Sequence, residues 1–192
     1  MARHTLQRLL AAVALALFFS AASGADDASP KPVANVDLQR YAGLWWEQAR
    51  LPNRFQKDCT GQVTARYSLR ADGRLDVLNR CARGPGDVQE ILGEARPAAG
   101  AAPGLGQLQV RFAPRWLAWL PFVWGDYWIV HLDADYQNVL VGTPDHKYLW
   151  ILSREVRLGD DAYRALVDKA RALGYAAEQL ARTPTEPELP RD

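Results

Sequence analysis

Between residues 43 and 153 the sequence offers eight short strand candidates and no stretch long enough to serve as a crossover helix. The candidates are 43–51, 63–70, 75–81, 88–95, 105–112, 126–132, 138–142 and 147–153. Turn material separates them: Arg83-Gly84-Pro85-Gly86, the stretch 97–106, Asp133-Ala134-Asp135 and Thr143-Pro144-Asp145. Parallel neighbours need a connection of a dozen or more residues, usually helical. Short turns leave only antiparallel neighbours in chain order. The expected fold is therefore all-β, an eight-stranded antiparallel up-and-down β-barrel, closed so that no strand edge stays bare.

The register of one hairpin can be read directly. Val63, Ala65, Tyr67 and Leu69 alternate with Thr64, Arg66, Ser68 and Arg70, the period of a half-buried strand. Ala71-Asp72-Gly73 supplies a tight turn. If Arg70 pairs with Arg74, then Tyr67 faces Val77 and Val63 faces Cys81, and the apolar sides coincide. After the barrel comes one helix, packed on the outside. Asp160 or Asp161 can cap it, Ala162, Leu166, Ala170 and Leu173 recur at helical spacing, and Gly174 can end it. A short strand is expected near 176–181. A flexible leader is expected over 26–35 and a disordered tail over 183–192, with the barrel and helix filling 36–182.

Arg3, His4 and Arg8 precede an apolar run over 9–19 and a set of small residues. This is the pattern of a secretory signal peptide, expected over 1–25. The run is about half of the ~20 residues that span a bilayer. The whole chain carries a formal charge of +1, which gives no electrostatic case for nucleic acid. Export to the periplasm or beyond is expected, with a peripheral place at the outer membrane left open. No cysteine lies near the expected cleavage site, so no lipid-anchor cysteine is expected.

Cys59 and Cys81 are the two cysteines. A disulfide suits an exported chain. A straight strand would hold the pair too far apart to bond, so the bridge requires the chain to fold back near Gly61. No histidine stands at ligand-like spacing from them, and no metal site is expected. His131 and His146 form no triad order with Ser153. The paired carboxylates Asp133/Asp135 and Asp160/Asp161 fit turn and cap roles. Neither an enzyme nor a cofactor is expected.

Three regions in order resemble the lipocalin family, and within it the bacterial lipocalins related to apolipoprotein D. The first runs Asp37-Leu38-Gln39-Arg40-Tyr41-Ala42-Gly43-Leu44-Trp45-Trp46-Glu47, similar to the Gly-x-Trp motif of the first strand. The second, Leu132-Asp133-Ala134-Asp135-Tyr136, resembles the Thr-Asp-x-x-Tyr turn. The third, Tyr148-Leu149-Trp150-Ile151-Leu152-Ser153-Arg154, ends on the motif's arginine. The bacterial group adds Arg50-Leu51-Pro52-Asn53-Arg54-Phe55 and Thr64-Ala65-Arg66-Tyr67-Ser68-Leu69-Arg70. Most relatives carry Tyr where this chain has Trp46. The best-known bacterial relatives are outer-membrane lipoproteins.

Connections alternate between the barrel's two ends, so the start of the first strand and the end of the last share the closed one. There the resemblance implies Gly43, Trp45, Asp133, Tyr136 and Arg154, with the Arg154 guanidinium stacked on the Trp45 indole. It also implies an apolar chamber. The residues expected to line it are Glu47, Val63, Tyr67, Val77, Val110, Phe112, Trp124, Tyr127, Ile129, Tyr148 and Trp150. The competing reading is an interior filled by side chains. The stretch 116–124 (Trp-Leu-Ala-Trp-Leu-Pro-Phe-Val-Trp) falls in the fifth connection, at the open mouth. It reads either as a lipid-facing rim or as a loop folded inward or onto the wall.

The function implied is binding and carriage of a fatty acid or lysophospholipid in the bacterial cell envelope. A binder of a planar hydrophobe such as haem or pigment, and an enzyme acting on a lipid through His131 or Cys59, are the alternatives. A homodimer stays open.

Overall fold

The computed structural model describes residues 30–186. The expected signal peptide, the first residues of the leader and the last six of the tail lie outside the described residues. A single helical turn, α1 (Leu38–Tyr41), opens the fold, with Asp37 accepting from the backbone N–H of Gln39 at its N-terminus. Eight antiparallel strands follow in order: β1 (Gly43–Arg50), β2 (Gly61–Leu69), β3 (Leu75–Gly84), β4 (Asp87–Pro97), β5 (Gln107–Arg111), β6 (Gly125–Leu132), β7 (Asn138–Gly142) and β8 (Leu149–Ser153). Each pairs with its successor, and β1 pairs with both β2 and β8, so the sheet closes into a barrel.

The β2–β3 hairpin has the expected turn, with the Arg70 amide donating to the Arg74 carbonyl and Tyr67 opposite Val77. The register slips by one between Gly61 and Thr64. Val63 therefore does not sit in simple pairing with Cys81. A β-bulge inserts one residue and bends the strand.

Two apolar layers result. The inward side chains pack around Trp45, Tyr67, Leu75, Val77, Leu108, Ile129, Val139, Val141 and Leu152. The outward ones on β1, β6, β7 and β8 form a second core with α2 (Asp160–Ala172), through Leu166 and Ala170. Gly159, rather than either aspartate, is the residue before the helix; Asp160 and Asp161 occupy its first turn, where negative charge suits the macrodipole. Ala162 is exposed, and Tyr163 and Val167 flank the contact instead. Gly174 adopts a positive φ just beyond the helix. The strand expected near 176–181 is a short 3₁₀ turn followed by β9 (Ala181–Arg182) on β1.

Both chain ends are tied down further than their composition suggests. Pro30 is buried, and Val33 exchanges backbone hydrogen bonds with Ile129 and Gly106. In the C-terminal segment, the Thr183 amide donates to the Gln48 carbonyl and the Gln62 amide to the Pro184 carbonyl. Residues 30–35 and 183–186 thus gain backbone partners that a Pro- and Ala-rich composition cannot reveal.

Candidate functional site

The floor is built around Trp45 and Arg154. Trp45 is fully buried, and its indole N–H donates to the Tyr41 carbonyl. The Arg154 guanidinium lies 3.8 Å from the indole centroid. It donates to the carbonyls of Arg40, Tyr41, Ala42 and Leu44 and, through Nε, to that of Tyr136. It thereby satisfies the carbonyls at the end of α1, which lie beyond the helix's last internal bond, from the Ala42 amide to the Leu38 carbonyl. Gly43 has φ +106°, and a Cβ there would stand 3.0 Å from Arg154 Nη1. Asp133 accepts from the backbone amides of Gln137 and Asn138, and the Tyr136 hydroxyl accepts from the Asp37 amide.

Above the floor lies a cluster of phenols. The Tyr127 hydroxyl is 2.6 Å from that of Tyr41 and 2.8 Å from that of Tyr67. Burial pushes the Tyr67 phenol up to about 12 and holds Tyr41 and Tyr127 well above the ordinary tyrosine range. All three stay neutral and act as a polar plug.

Burial of the inward side chains lessens upward from there. Ile129 is buried beside Val141, and Val63 is buried near the mouth. Val110 and Trp150 are only partly buried against the inner core. Phe112 is 43% exposed, and its ring lies over Gly93, opposite Val77, where a Cβ would collide with it. The Asn79 carbonyl oxygen is buried with no hydrogen-bond partner among the described residues.

A second bulge matters more. Glu47 pairs with Leu152 and Arg50 with Trp150, with the register slipping between Glu47 and Ala49. Gln48 and Ala49 both face outward as a result, and Arg50 turns in alongside Glu47. The Glu47 carboxylate accepts from Arg50 Nη1 (2.6 Å), Gln56 Nε2 (2.6 Å) and the Thr183 hydroxyl (2.5 Å). Gln56 dips in from the β1–β2 loop, and its amide oxygen accepts from the Trp150 indole at 2.8 Å. Outside this network Phe55, Tyr148 and Trp150 form a row, at centroid spacings of 5.5 and 5.9 Å.

Residues 36–185 match the family described as the lipocalin-like domain. The chain belongs to the lipocalin family. It is 38% identical over 155 residues to temperature-induced lipocalin-1 of Arabidopsis thaliana, covering 79% of this chain and 81% of that protein. It is 36% identical over 143 residues to the outer membrane lipoprotein Blc of Escherichia coli K12, covering 74% and 76%. The solved structure of insecticyanin from the tobacco hornworm Manduca sexta superimposes with a TM-score of 0.62 at 20% identity, over 80% of this chain and 83% of that one. Lipocalins are binding and transport proteins for small hydrophobic ligands.

Tyr67, Val77, Val110, Tyr127, Ile129 and Trp150, expected in the chamber, all belong to the inner core or pack against it. Glu47 lies inside but is enclosed by its partners, and Tyr148 and Phe112 stand at the rim. Trp124 does not face the chamber. It stands an odd number of residues from Tyr127, on the outer wall, with the Arg96 guanidinium 3.8 Å over its ring and Arg111 at 5.2 Å. Arg111 in turn donates to Glu94, which also accepts from Arg74. The rest of the loop does the opposite: Trp116, Trp119 and Phe122 are each more than 70% exposed. So one aromatic staples the loop to the wall and three project outward.

Cys59 and Cys81 are joined, with Cα atoms 5.6 Å apart. The bulge at the start of β2 carries the chain back, and Gly61 leaves room for the Pro184 and Glu186 carbonyls. A disulfide-bonded Cys59 offers no nucleophile. His131 pairs with Leu140 on the outward, helix-facing side, where burial and Lys169 lower its pKa. Of the two residues on which a lipid-processing reading depended, Cys59 is therefore bonded and His131 faces away from the barrel interior. Arg50, Gln56 and Tyr41 were not expected in the site. Strand alternation puts Arg50 opposite in parity to Glu47, and only the bulge reverses that.

Proposed function

We propose that this lipocalin binds a lipid amphiphile, a fatty acid or lysophospholipid, with its acyl chain in the chamber above the tyrosine plug. The observation that carries the reading is the gradient of the interior: sealed and fully buried at Trp45, apolar through Val77 and Val110, and accessible at Phe112 and Trp150. Each methylene that leaves water for such a surface contributes ~0.8 kcal/mol. The open end also carries the exposed Phe55, Trp116, Trp119 and Phe122. An apolar rim of this kind fits a membrane surface, so the ligand would pass between bilayer and chamber. The signal-peptide pattern over 1–25, the disulfide and the likeness to Blc support a place in the cell envelope, peripheral to a membrane.

Solvent extraction of the purified protein followed by mass spectrometry tests the ligand class. Co-purified single-chain lipids are the expected result. An empty or strongly coloured preparation that takes up no acyl chain would reject it.

A further inference from the structure

We infer that Arg50 is the headgroup-binding residue of the chamber, taking an acidic oxygen (carboxylate or phosphate) of the amphiphile. The inference rests on the proposed lipid binding and adds which end of the lipid is recognised, and by what.

Arg50 is a cation on the inner wall, beside the apolar side chains of the inner core. Its strand neighbour is Trp150, which packs against the inner core. A guanidinium carries five N–H donors in a fixed plane. Nη1 is turned to Glu47 at 2.6 Å and to the Thr183 hydroxyl at 3.4 Å, and Nη2 gives one hydrogen to the Gln56 carbonyl at 3.3 Å. The Nε hydrogen and the second Nη2 hydrogen meet no acceptor among the described residues. Nε and Nη2 share one edge of the plane, the edge that can receive a carboxylate or phosphate side-on. The side chain is 16% exposed, so part of it is open to solvent.

Glu47 has a different part. Its side chain is 3% exposed, and Arg50, Gln56 and Thr183 occupy its oxygens. It therefore meets no ligand and acts as a positioning residue. It fixes the plane of Arg50 and neutralises the charge while the chamber is empty, when a bare buried cation would be costly. An arriving anion approaches the Nε/Nη2 edge, away from the carboxylate on Nη1. With the head there, the chain runs down past Val110 toward the tyrosine plug. Gln56 reaches the pair from the β1–β2 loop at the mouth, so the headgroup lies beneath it.

The test compares laurate, dodecanol and a lauroyl lysophosphatidate as displacers of a fluorescent apolar probe, on the full chain and on Arg50→Gln and Arg50→Lys. Arg50→Gln should weaken at least one of the two acids by about ten- to a hundredfold, the worth of one charge-assisted hydrogen bond. Dodecanol should change less than about threefold. Which acid weakens identifies the source of the oxygen, carboxylate or phosphate. Arg50→Lys, which keeps the charge but loses the fork, should fall between. Thermal midpoints of both variants check the fold, and the Lys variant carries the test if the Gln variant is unstable. Equal weakening of acids and alcohol, or no weakening of either acid, overturns the role of Arg50 while leaving lipid binding intact. Failure of the wild type to take up any of the three overturns lipid binding itself.

Discussion

The floor and the mouth of the barrel use the same residue types to opposite ends. At the floor the arginine and the phenols are spoken for: Arg154 meets five carbonyls and an indole, and three phenols hydrogen-bond one another. Toward the mouth, Arg50 Nε meets no acceptor among the described residues, and Phe55, Trp116, Trp119 and Phe122 face solvent. A saturated end can only hold the chain together. An unsaturated end has interactions left to give. Stability and binding should therefore separate along the barrel axis.

The largest effect should come from the floor. Trp45→Ala is expected to cost ~3–5 kcal/mol, as deletion of a fully buried aromatic does, read by denaturant unfolding. An unchanged midpoint would break the division at its strongest point. Reduction of the Cys59–Cys81 bridge, which closes a loop with a sequence separation of 22, should cost about 3 kcal/mol. Unfolding curves with and without reductant measure it. Arg154→Lys should cost about 1–3 kcal/mol, because an ammonium keeps the charge but cannot reach as many carbonyls. Acyl-chain affinity per folded molecule should hardly move.

The phenols give a pH signature. Tyr67 titrates near 10 when unfolded and about 12 when folded, and Tyr41 and Tyr127 are also raised. The folded state then holds the protons more tightly. Their stabilising contribution is present below pH 10 and is lost as pH rises through the folded values. Stability should fall between about pH 10 and 12, and Tyr127→Phe should flatten that fall. A Tyr127→Phe curve parallel to the wild type would remove the cluster from the account of the floor. The smallest change in stability belongs to the rim. Trp116→Ser with Trp119→Ser should shift unfolding by at most about 0.5 kcal/mol yet abolish vesicle binding. Equal binding by wild type and variant would show that the rim does not face lipid.

The sequence made the floor easier to read than the mouth, for a physical reason. Trp45, Arg154 and the Arg70–Arg74 turn depend on alternation and short connections, which local residues carry. The inward turn of Arg50 depends on a bulge at Gln48, and the outward turn of Trp124 on the start point of β6. A single inserted residue reverses every later side chain, and nothing in the local pattern of Glu-Gln-Ala-Arg announces it. The docking of 183–186 was equally illegible, because its partners Gln48, Glu47 and Gln62 lie more than a hundred residues away.

That docking bears on how the molecule comes into being. Only the lower part of β1 pairs with β2; higher up, its neighbour is Ala181–Arg182 from the far end of the chain. During synthesis the first strand emerges with one short neighbour and waits for nearly all the remaining residues before its other partners exist. Such long-range pairing makes assembly slow. Sealing the seam is then expected to be the last event, and until it happens the upper edge of β1 offers bare amides to any strand that passes.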